Sequence, residues 1–211
     1  MRSDPDSPND KSAPARLPPT QFWGLAVVIY MVLQMPYVRV PFLFISTWAH
    51  EFGHGLGALA MGGEFIQLTV FPNFSGVAQT ATSGGFARAM VVVFGLLGPS
   101  ALGVLMIGLT RGLGRYRTAL IGLSALLFLT LVWAADLFTV ATIFGSGVLV
   151  GLLGWKGSDR VVFYAAQVLS IAICLTALTG FGYFFMGNAE VAGALYRTDT
   201  GILADIWGGA H

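Results

Sequence analysis

The stretch PFLFISTWAHEFGHGLGALAMG, residues 41–62, decides the fold class and carries the chemistry of this chain. It is long and apolar enough to cross a bilayer as a helix, which takes about 20 residues. Within it, His50 and His54 stand four residues apart, so a helix presents both imidazoles on one face. Two imidazoles at this spacing, with Glu51 between them, predict a zinc site in which Glu51 is the general base.

The polar side chains of this stretch lie near the middle of the predicted helix. A rise of 1.5 Å per residue places His50 about 14 Å from residue 41, roughly half the thickness of the hydrocarbon core. Ionisable groups at that depth are costly unless they bind a metal or one another. An alternative is that they only hydrogen-bond neighbouring helices, but this explains neither the spacing nor the intervening Glu51.

The composition of the whole chain is that of a membrane protein. Of its 211 residues, 55% are hydrophobic and only 10% are charged, whereas an average soluble domain has about 25% charged residues. A formal net charge of +1 offers no basic surface for nucleic acid. The single cysteine, Cys174, excludes an internal disulfide and a cysteine-rich metal site. The chain is therefore predicted to reside in a lipid bilayer and to bind no nucleic acid.

Six stretches are long and apolar enough to be spanning helices. We therefore predict an all-α polytopic membrane protein with about six transmembrane helices, or five if the fourth and fifth stretches form one broken helix rather than a tight hairpin. The basic residues between the stretches do not determine the orientation. The stretches are residues 21–38, 41–62, 86–110, 118–135, 137–155 and 161–186.

Residues 64–82, EFIQLTVFPNFSGVAQTAT, are too polar to span a bilayer. Polar and apolar residues alternate on either side of the turn residues 72–76, which predicts a short β-hairpin directly after the zinc-binding helix. Open strands are not tolerated in lipid, so this hairpin is expected at the interface or shielded by helices. Asn73 is a candidate oxyanion donor, but its place in the turn favours a structural role.

The two ends of the chain differ from the membrane domain at residues 21–186. Residues 1–20 are rich in Pro, Ser and Asp and predict a disordered tail. Residues 187–211 mix acidic and apolar side chains, which favours an interfacial helix in a C-terminal tail.

Small residues and one arginine have structural interpretations. Gly53 and Gly57, and likewise Gly147 and Gly151, are four residues apart, which is typical of closely packed membrane helices. Arg88, at the start of the third stretch, is interpreted as an anchor at the membrane interface.

A catalytic zinc site needs a third protein ligand and keeps a fourth position for water. Asp136 is the one acidic residue within an otherwise uncharged apolar stretch, and a carboxylate at such depth is expected to be paired, protonated or metal-bound. We therefore predict that Asp136 joins His50 and His54 in binding one zinc ion per chain. Two alternatives stay open: Asp136 caps the helix that follows it, or Glu190 is the third ligand.

The motif HEFGHG at residues 50–55 resembles that of the M50, or site-2-protease, family of intramembrane zinc metalloproteases. The hairpin segment after it and the dipeptide Gly98-Pro99 on a later helix resemble small bacterial members, and the likeness covers about residues 41–140. The resemblance implies that both histidines of the motif bind zinc and that Glu51 is the catalytic base. It also implies a multi-pass protein of the bacterial cytoplasmic membrane.

Two positions depart from better-known members of that family. Leu102 stands where those members have an asparagine three residues after the proline, and the third ligand of those members lies in a Leu-Asp-Gly motif. The corresponding tripeptide in this chain is Ala135-Asp136-Leu137.

The expected activity is hydrolysis of peptide bonds in or near the transmembrane segments of membrane-protein substrates. The edge of the hairpin at residues 64–82 offers an unwound substrate a place to pair by strand addition. The alternative is a catalytically inert relative that serves as a structural or assembly subunit, and a metal transporter is a third possibility. The intact Glu51 favours the protease, because a purely structural metal site needs no base. The sequence specifies neither the substrate nor the oligomeric state.

Overall fold

Helices form most of the chain, and the computed structural model describes residues 17–179, 188–191 and 194–208. Two small antiparallel sheets of two strands each interrupt the helices, and the second of these, β3–β4, is not predicted from the sequence. The elements are α1 (Pro19–Val32), α2 (Pro36–Ala60), β1 (Glu64–Val70), β2 (Gly76–Ala81), α3 (Gly85–Ile107), α4 (Tyr116–Thr130), α5 (Leu137–Lys156), α6 (Asp159–Thr179), β3 (Asn188–Val191), β4 (Ala194–Arg197) and α7 (Asp199–Gly208).

The first two helices form a sharply bent pair, with an angle of 109° between them. Pro36 begins α2 and lacks a backbone N–H, and the residue before it, Met35, is extended with φ −82° and ψ 119°. The helix α1 has only 14 residues, which is about 21 Å and too short to cross the hydrocarbon core. The two helices together therefore count as one candidate span at most.

The six predicted spans are not confirmed. In the part of the chain that the structure describes, four helical segments are long and apolar enough to cross a membrane, and the bent pair raises this number to five at most. The number falls below six because α1 and α2 count as one span at most. The helices α4 and α5 form a tight helical hairpin, which is one of the two predicted alternatives. The four segments are Gly85–Gly112, Tyr116–Trp133, Leu137–Lys156 and Asp159–Thr176.

The predicted terminal segments are covered only in part. Residues 1–16 of the predicted disordered tail lie outside the described residues, and α1 begins at Pro19, within that predicted tail. Proline suits this first position because its missing N–H has no partner there in any helix. The helix α7 lies within the predicted C-terminal tail, and its position at the membrane interface stays a prediction.

The hairpin after α2 is confirmed, with β1 and β2 antiparallel and a bulge between Phe65 and Gln67. Its turn is closed by a backbone hydrogen bond of 2.9 Å from the N–H of Phe71 to the oxygen of Ser75. Oδ1 of Asn73 accepts from both the N–H and the hydroxyl of Ser75, at 3.0 and 2.7 Å. Asn73 therefore serves the turn.

The two outer edges of this hairpin have different neighbours. The edge of β1 is covered by the connection between α4 and α5: the N–H of Ala135 donates to the oxygen of Leu68 at 3.0 Å, and the N–H of Val70 donates to Oγ1 of Thr139 at 2.9 Å. In the described chain no third strand pairs with β2. The order across this layer is thus the α4–α5 connection, β1, β2 and then a free strand edge.

Glycines allow α2 and α3 to pack with their backbones nearly in contact. A Cβ on Gly53 would overlap the carbonyl oxygen of Phe94, and one on Gly57 would lie 2.9 Å from Cα of Val91. The predicted close packing at these glycines is confirmed. The same holds for the second pair, Gly147 and Gly151, which face Phe128 and Ser124 of α4.

The helix α2 also forms the centre of the largest hydrophobic core. Trp48 is fully buried, and its indole N–H donates to Oγ1 of Thr130 at 2.9 Å. This hydrogen bond ties α2 to the end of α4 inside the bundle. The core around it includes side chains of the hairpin and of α4, among them Leu68, Val70, Leu120, Leu123 and Leu127.

The contact between α2 and α3 predicts the effect of replacing Gly53 by alanine. Because the added Cβ meets backbone that has to move, we expect Gly53→Ala to lower the free energy of unfolding by about 1–3 kcal/mol. Thermal unfolding of the purified protein in detergent measures this as a lower Tm. The control is Gly122→Ala in α4, where a Cβ has nothing within 4 Å, and where alanine is expected to leave the Tm unchanged or raise it. Equal Tm values for both variants would contradict the close contact.

Candidate metal centre

Two histidines of α2 and one aspartate of α7 direct their ligand atoms toward one another. Nε2 of His50 and Nε2 of His54 are 3.1 Å apart. Oδ2 of Asp199 lies 3.0 Å from Nε2 of His50 and 3.4 Å from Nε2 of His54. His54 and Asp199 are buried, so three potential metal ligands meet at one point inside the protein.

The dimensions of this triangle fit a zinc ion. Tetrahedral ligands at about 2.0–2.1 Å from zinc are about 3.3 Å from one another, which is close to the three measured sides. Oδ2 of Asp199 is buried without a hydrogen-bond donor of adequate geometry, as expected of an atom whose partner is an ion or a water molecule. Two imidazoles and one carboxylate form a ligand set of catalytic zinc, which keeps a fourth position open.

The ring of His54 is oriented by a hydrogen bond from its other nitrogen. Nδ1 of His54 lies 3.0 Å from the carbonyl oxygen of Val91 in α3. A carbonyl only accepts, so Nδ1 carries the proton and Nε2 presents its lone pair to the cluster. Metal-binding histidines usually have such a partner for the second nitrogen. Gly95 makes room for the ring, because a Cβ there would overlap it.

Glu51 follows His50 in α2 and is 6% exposed. Ala78 of β2 lies beside this carboxylate and lines the same cavity. A Cβ on Gly76 would lie 2.6 Å from Cγ of Glu51, so glycine is required for this approach. The hydroxyl of Thr47 donates to the oxygen of Phe74 at 2.9 Å and holds the hairpin turn against α2. The hairpin thus fixes the carboxylate beside the cluster.

Asp199 reaches the cluster from the first turn of α7. The N–H of Gly201 donates to Oγ1 of Thr198 at 3.1 Å, which makes Thr198 the cap of this helix. Both Thr198 and Asp199 are buried. Burial disfavours the charge of Asp199, but the neighbouring His50 and His54 outweigh it and hold the pKa of Asp199 well below its usual range. The carboxylate is therefore ionised, as a metal ligand has to be.

Asp136 is not brought to the cluster, in contrast to the sequence-based prediction. It precedes α5, where its Oδ1 accepts from the N–H of Thr139 at 2.9 Å and its Oδ2 accepts from the hydroxyl of Thr139 at 2.7 Å. Burial raises its pKa, but these hydrogen bonds outweigh burial, and the net pKa of Asp136 is lowered. The alternative interpretation, a helix cap, describes this geometry.

The hairpin explains why Asp136 and the histidines are apart. The connection that carries Asp136 lies along the outer edge of β1, whereas Glu51 lies against Gly76 of β2. Two interstrand spacings of about 4.8 Å each separate this connection from β2. Of Glu190, the other predicted alternative, the structure describes only the backbone, in β3.

A cavity of about 690 Å³ opens in front of the cluster. Residues of β2 form one wall and the first turns of α3 form another, and Asp199 and Ile202 of α7 also line the cavity. The two histidines, Glu51 and Asp199 therefore all line this cavity.

The partly buried His50 and the buried His54 and Asp199, with Glu51 and an open cavity beside them, form a group that could hold a metal ion. Residues 23–211 match the Peptidase M50B-like family model, and the chain belongs to this family. No curated protein and no solved structure matches the chain. Family membership and the four or five apolar spans together indicate a multi-pass integral membrane protein of the M50 metalloprotease type.

Sequence reasoning brought His50, Glu51 and His54 together correctly but missed Asp199. The spacing within one helix identifies the first three, because helical periodicity links neighbours in the chain. Asp199 is 145 positions beyond His54, and only the path of the chain through the bundle brings them together. The available signal was weak: an acidic residue after a threonine, at the start of a tail helix.

The cluster predicts which carboxylate is needed for metal binding. We expect the wild-type protein to bind about one zinc per chain and Asp199→Ala to bind it at least about a hundredfold more weakly, because a lost ligand costs more than a lost outer partner. Zinc per chain and a competition titration with a chelator measure both quantities in detergent-purified protein.

Two control variants accompany this measurement. Asp205→Ala removes a carboxylate from the same helix α7 outside the cluster and is expected to keep the wild-type zinc affinity. Asp136→Ala is expected to keep zinc as well and to lose about 1 kcal/mol of stability with its helix cap. Loss of zinc in Asp136→Ala together with full zinc in Asp199→Ala would contradict the assignment of Asp199.

Proposed function

We propose that this protein is an intramembrane zinc metalloendopeptidase that hydrolyses peptide bonds in or near transmembrane segments of membrane proteins. The observation that carries the proposal is the buried carboxylate of Glu51 beside the ligand atoms of His50, His54 and Asp199, in a cavity that is open along a strand edge. Membership in the M50B-like family supports the same activity. The resemblance to small bacterial members supports a location in the bacterial cytoplasmic membrane.

The chain's own residues supply a proton carrier and three ligands. A zinc ion, when bound, supplies Lewis acidity that polarises a peptide carbonyl and acidifies a water molecule. A carboxylate oxygen of Glu51 takes one proton from the attacking water and delivers it to the leaving amine nitrogen. The bond between the carbonyl carbon and that nitrogen breaks, and the water oxygen becomes part of the new carboxyl group.

The free edge of β2 is the proposed binding site for the substrate backbone. Backbone groups of a strand alternate between its two edges. Gly76 and Ala78 stand opposite Val70 and Leu68 of β1, whose backbone groups bond to the connection between α4 and α5. The backbone groups of Gly76, Ala78 and Thr80 therefore face the free edge, while those of Val77 and Gln79 face β1. A segment unwound from a helix regains its lost hydrogen bonds by adding to this edge as a strand.

The role of Glu51 predicts a separation of chemistry from metal binding. We expect Glu51→Gln to reduce peptide cleavage by at least about a hundredfold, since glutamine cannot carry the proton, and to bind zinc as the wild type does. The assay incubates wild-type and variant proteins in proteoliposomes with a panel of synthetic transmembrane peptides and identifies new termini by mass spectrometry.

The outcomes separate a protease from an inert relative. Equal cleavage by both proteins would contradict the role of Glu51 as base. If neither protein cleaved any peptide of the panel while both held zinc, the result would contradict the protease and favour the structural or assembly subunit.

Substrate binding at the strand edge predicts a second variant that loses cleavage but keeps its zinc and its stability. Thr80→Pro removes one backbone donor from the free edge, and proline is tolerated at edge strands. We expect it to weaken cleavage about tenfold or more while zinc content and Tm stay close to those of the wild type, because the bonds to β1 come from other residues. The matched control is Thr80→Ala, which changes the side chain but keeps the N–H. Unchanged cleavage in Thr80→Pro would contradict binding at this edge.

A further inference from the structure

Arg88 lies on the wall of the cavity that contains the metal centre. It stands on the first turns of α3, one turn before Val91, whose carbonyl orients the ring of His54. At 1.5 Å per residue, the two positions are about 4.5 Å apart along the helix. A long guanidinium side chain thus extends from the immediate neighbourhood of the cluster.

The contacts of Arg88 within the described residues do not indicate that its side chain stabilises the fold. Within the described residues, no carboxylate, including those of Glu51 and Asp199, lies within 4.0 Å of its guanidinium. The side chain is exposed. A cation near the N-terminus of a helix also opposes the helix dipole, which disfavours it slightly.

Two other arginines show what a structural role looks like in this protein. Arg117 pairs with Asp159 at 2.7 Å and donates to the carbonyl oxygen of Gly157 at 2.8 Å. Arg111 lies over the ring of Phe22, 4.0 Å from its centroid. Both of these arginines join elements of the bundle, whereas Arg88 faces the cavity.

The strand edge sets the position that a bound peptide presents to Arg88. Glu51 approaches β2 at Gly76 and lines the same cavity as Ala78, so the bond to be cleaved lies near this part of the strand. Thr82, which follows β2, lines the same cavity as Arg88. The path from Ala78 to Thr82 spans about 13 Å of extended chain, and all five residues of that path line the cavity together with Arg88.

We propose that Arg88 is a specificity-determining residue that pairs with a carboxylate of the substrate, two to four residues from the cleaved bond. A guanidinium binds a carboxylate through two parallel hydrogen bonds, which fixes register as well as charge. The proposal rests on the proposed peptidase function and deepens it by naming a substrate class. The carboxylate comes either from an internal Asp or Glu or from the C-terminus of a segment that has already been cut.

Binding and cleavage together test this pairing. The probes are fluorescent transmembrane peptides of one apolar sequence that carry a single Glu, or Gln in its place, at each position within five residues of the cleaved bond. A further peptide ends four residues beyond that bond with either a free carboxylate or an amide. Binding is measured on the Glu51→Gln protein, and KM and kcat are measured on the protein with intact Glu51, both in proteoliposomes of neutral lipid.

The expected result is a preference of about fivefold in Kd and in KM for Glu over Gln at one or two positions. Arg88→Ala removes the preference with little change in kcat, Arg88→Lys keeps part of it, and Arg88→Glu reverses it in favour of a peptide with Lys at that position. A preference for the free C-terminus over the amide, with no internal position preferred, identifies the terminal carboxylate as the source.

Three outcomes overturn the proposal. One is equal binding of all peptides to the Glu51→Gln protein with and without Arg88→Ala. The second is that Arg88→Ala lowers cleavage of all peptides equally while anionic lipid alters cleavage by the wild type, which would make Arg88 a lipid anchor. The third is a preference for Glu that survives Arg88→Glu. The proposed function fails separately, through absent cleavage by the protein with intact Glu51 despite peptide binding.

Discussion

Three ligand atoms of His50, His54 and Asp199 converge within 3.0–3.4 Å of one another inside an otherwise apolar bundle, and the rest of the structure depends on this convergence. Buried polar atoms are costly without partners. The carbonyl of Val91 holds one imidazole and the cap at Thr198 holds the carboxylate. Each of these supports comes from a different helix, so the site exists only when α2, α3 and α7 are assembled.

The helix α2 both carries residues of the metal centre and packs closely against α3. One face carries the histidines and Glu51, while small residues allow α3 to approach so closely that Gly53 contacts a backbone carbonyl and Gly95 contacts the ring of His54. Larger side chains at these positions would move α3 and, with it, the hydrogen bond that orients His54. The glycines are therefore part of the metal centre, although they hold no ligand.

The hairpin divides the region beside α2 into a structural half and a functional half. The outer edge of β1 is hydrogen-bonded to the connection between α4 and α5, where Asp136 caps a helix. Its β2 strand lies against Glu51 at Gly76 and forms a wall of the cavity. An isolated aspartate in an apolar stretch of sequence can thus be either a metal ligand or a helix cap. The choice between them follows from which side of the hairpin the residue meets.

The sequence by itself determined the features that depend on near neighbours in the chain: the apolar helices, the pair His50 and His54 with Glu51 between them, the hairpin, and membership in an M50-like family. Periodicity and local turn chemistry are enough for these, because residues a few positions apart share a face or a turn. Only the tertiary structure decided that the first two helices form a bent pair and that Asp199 joins the histidines. Contacts between residues far apart in the chain depend on how whole helices pack, and a single sequence carries no record of that packing.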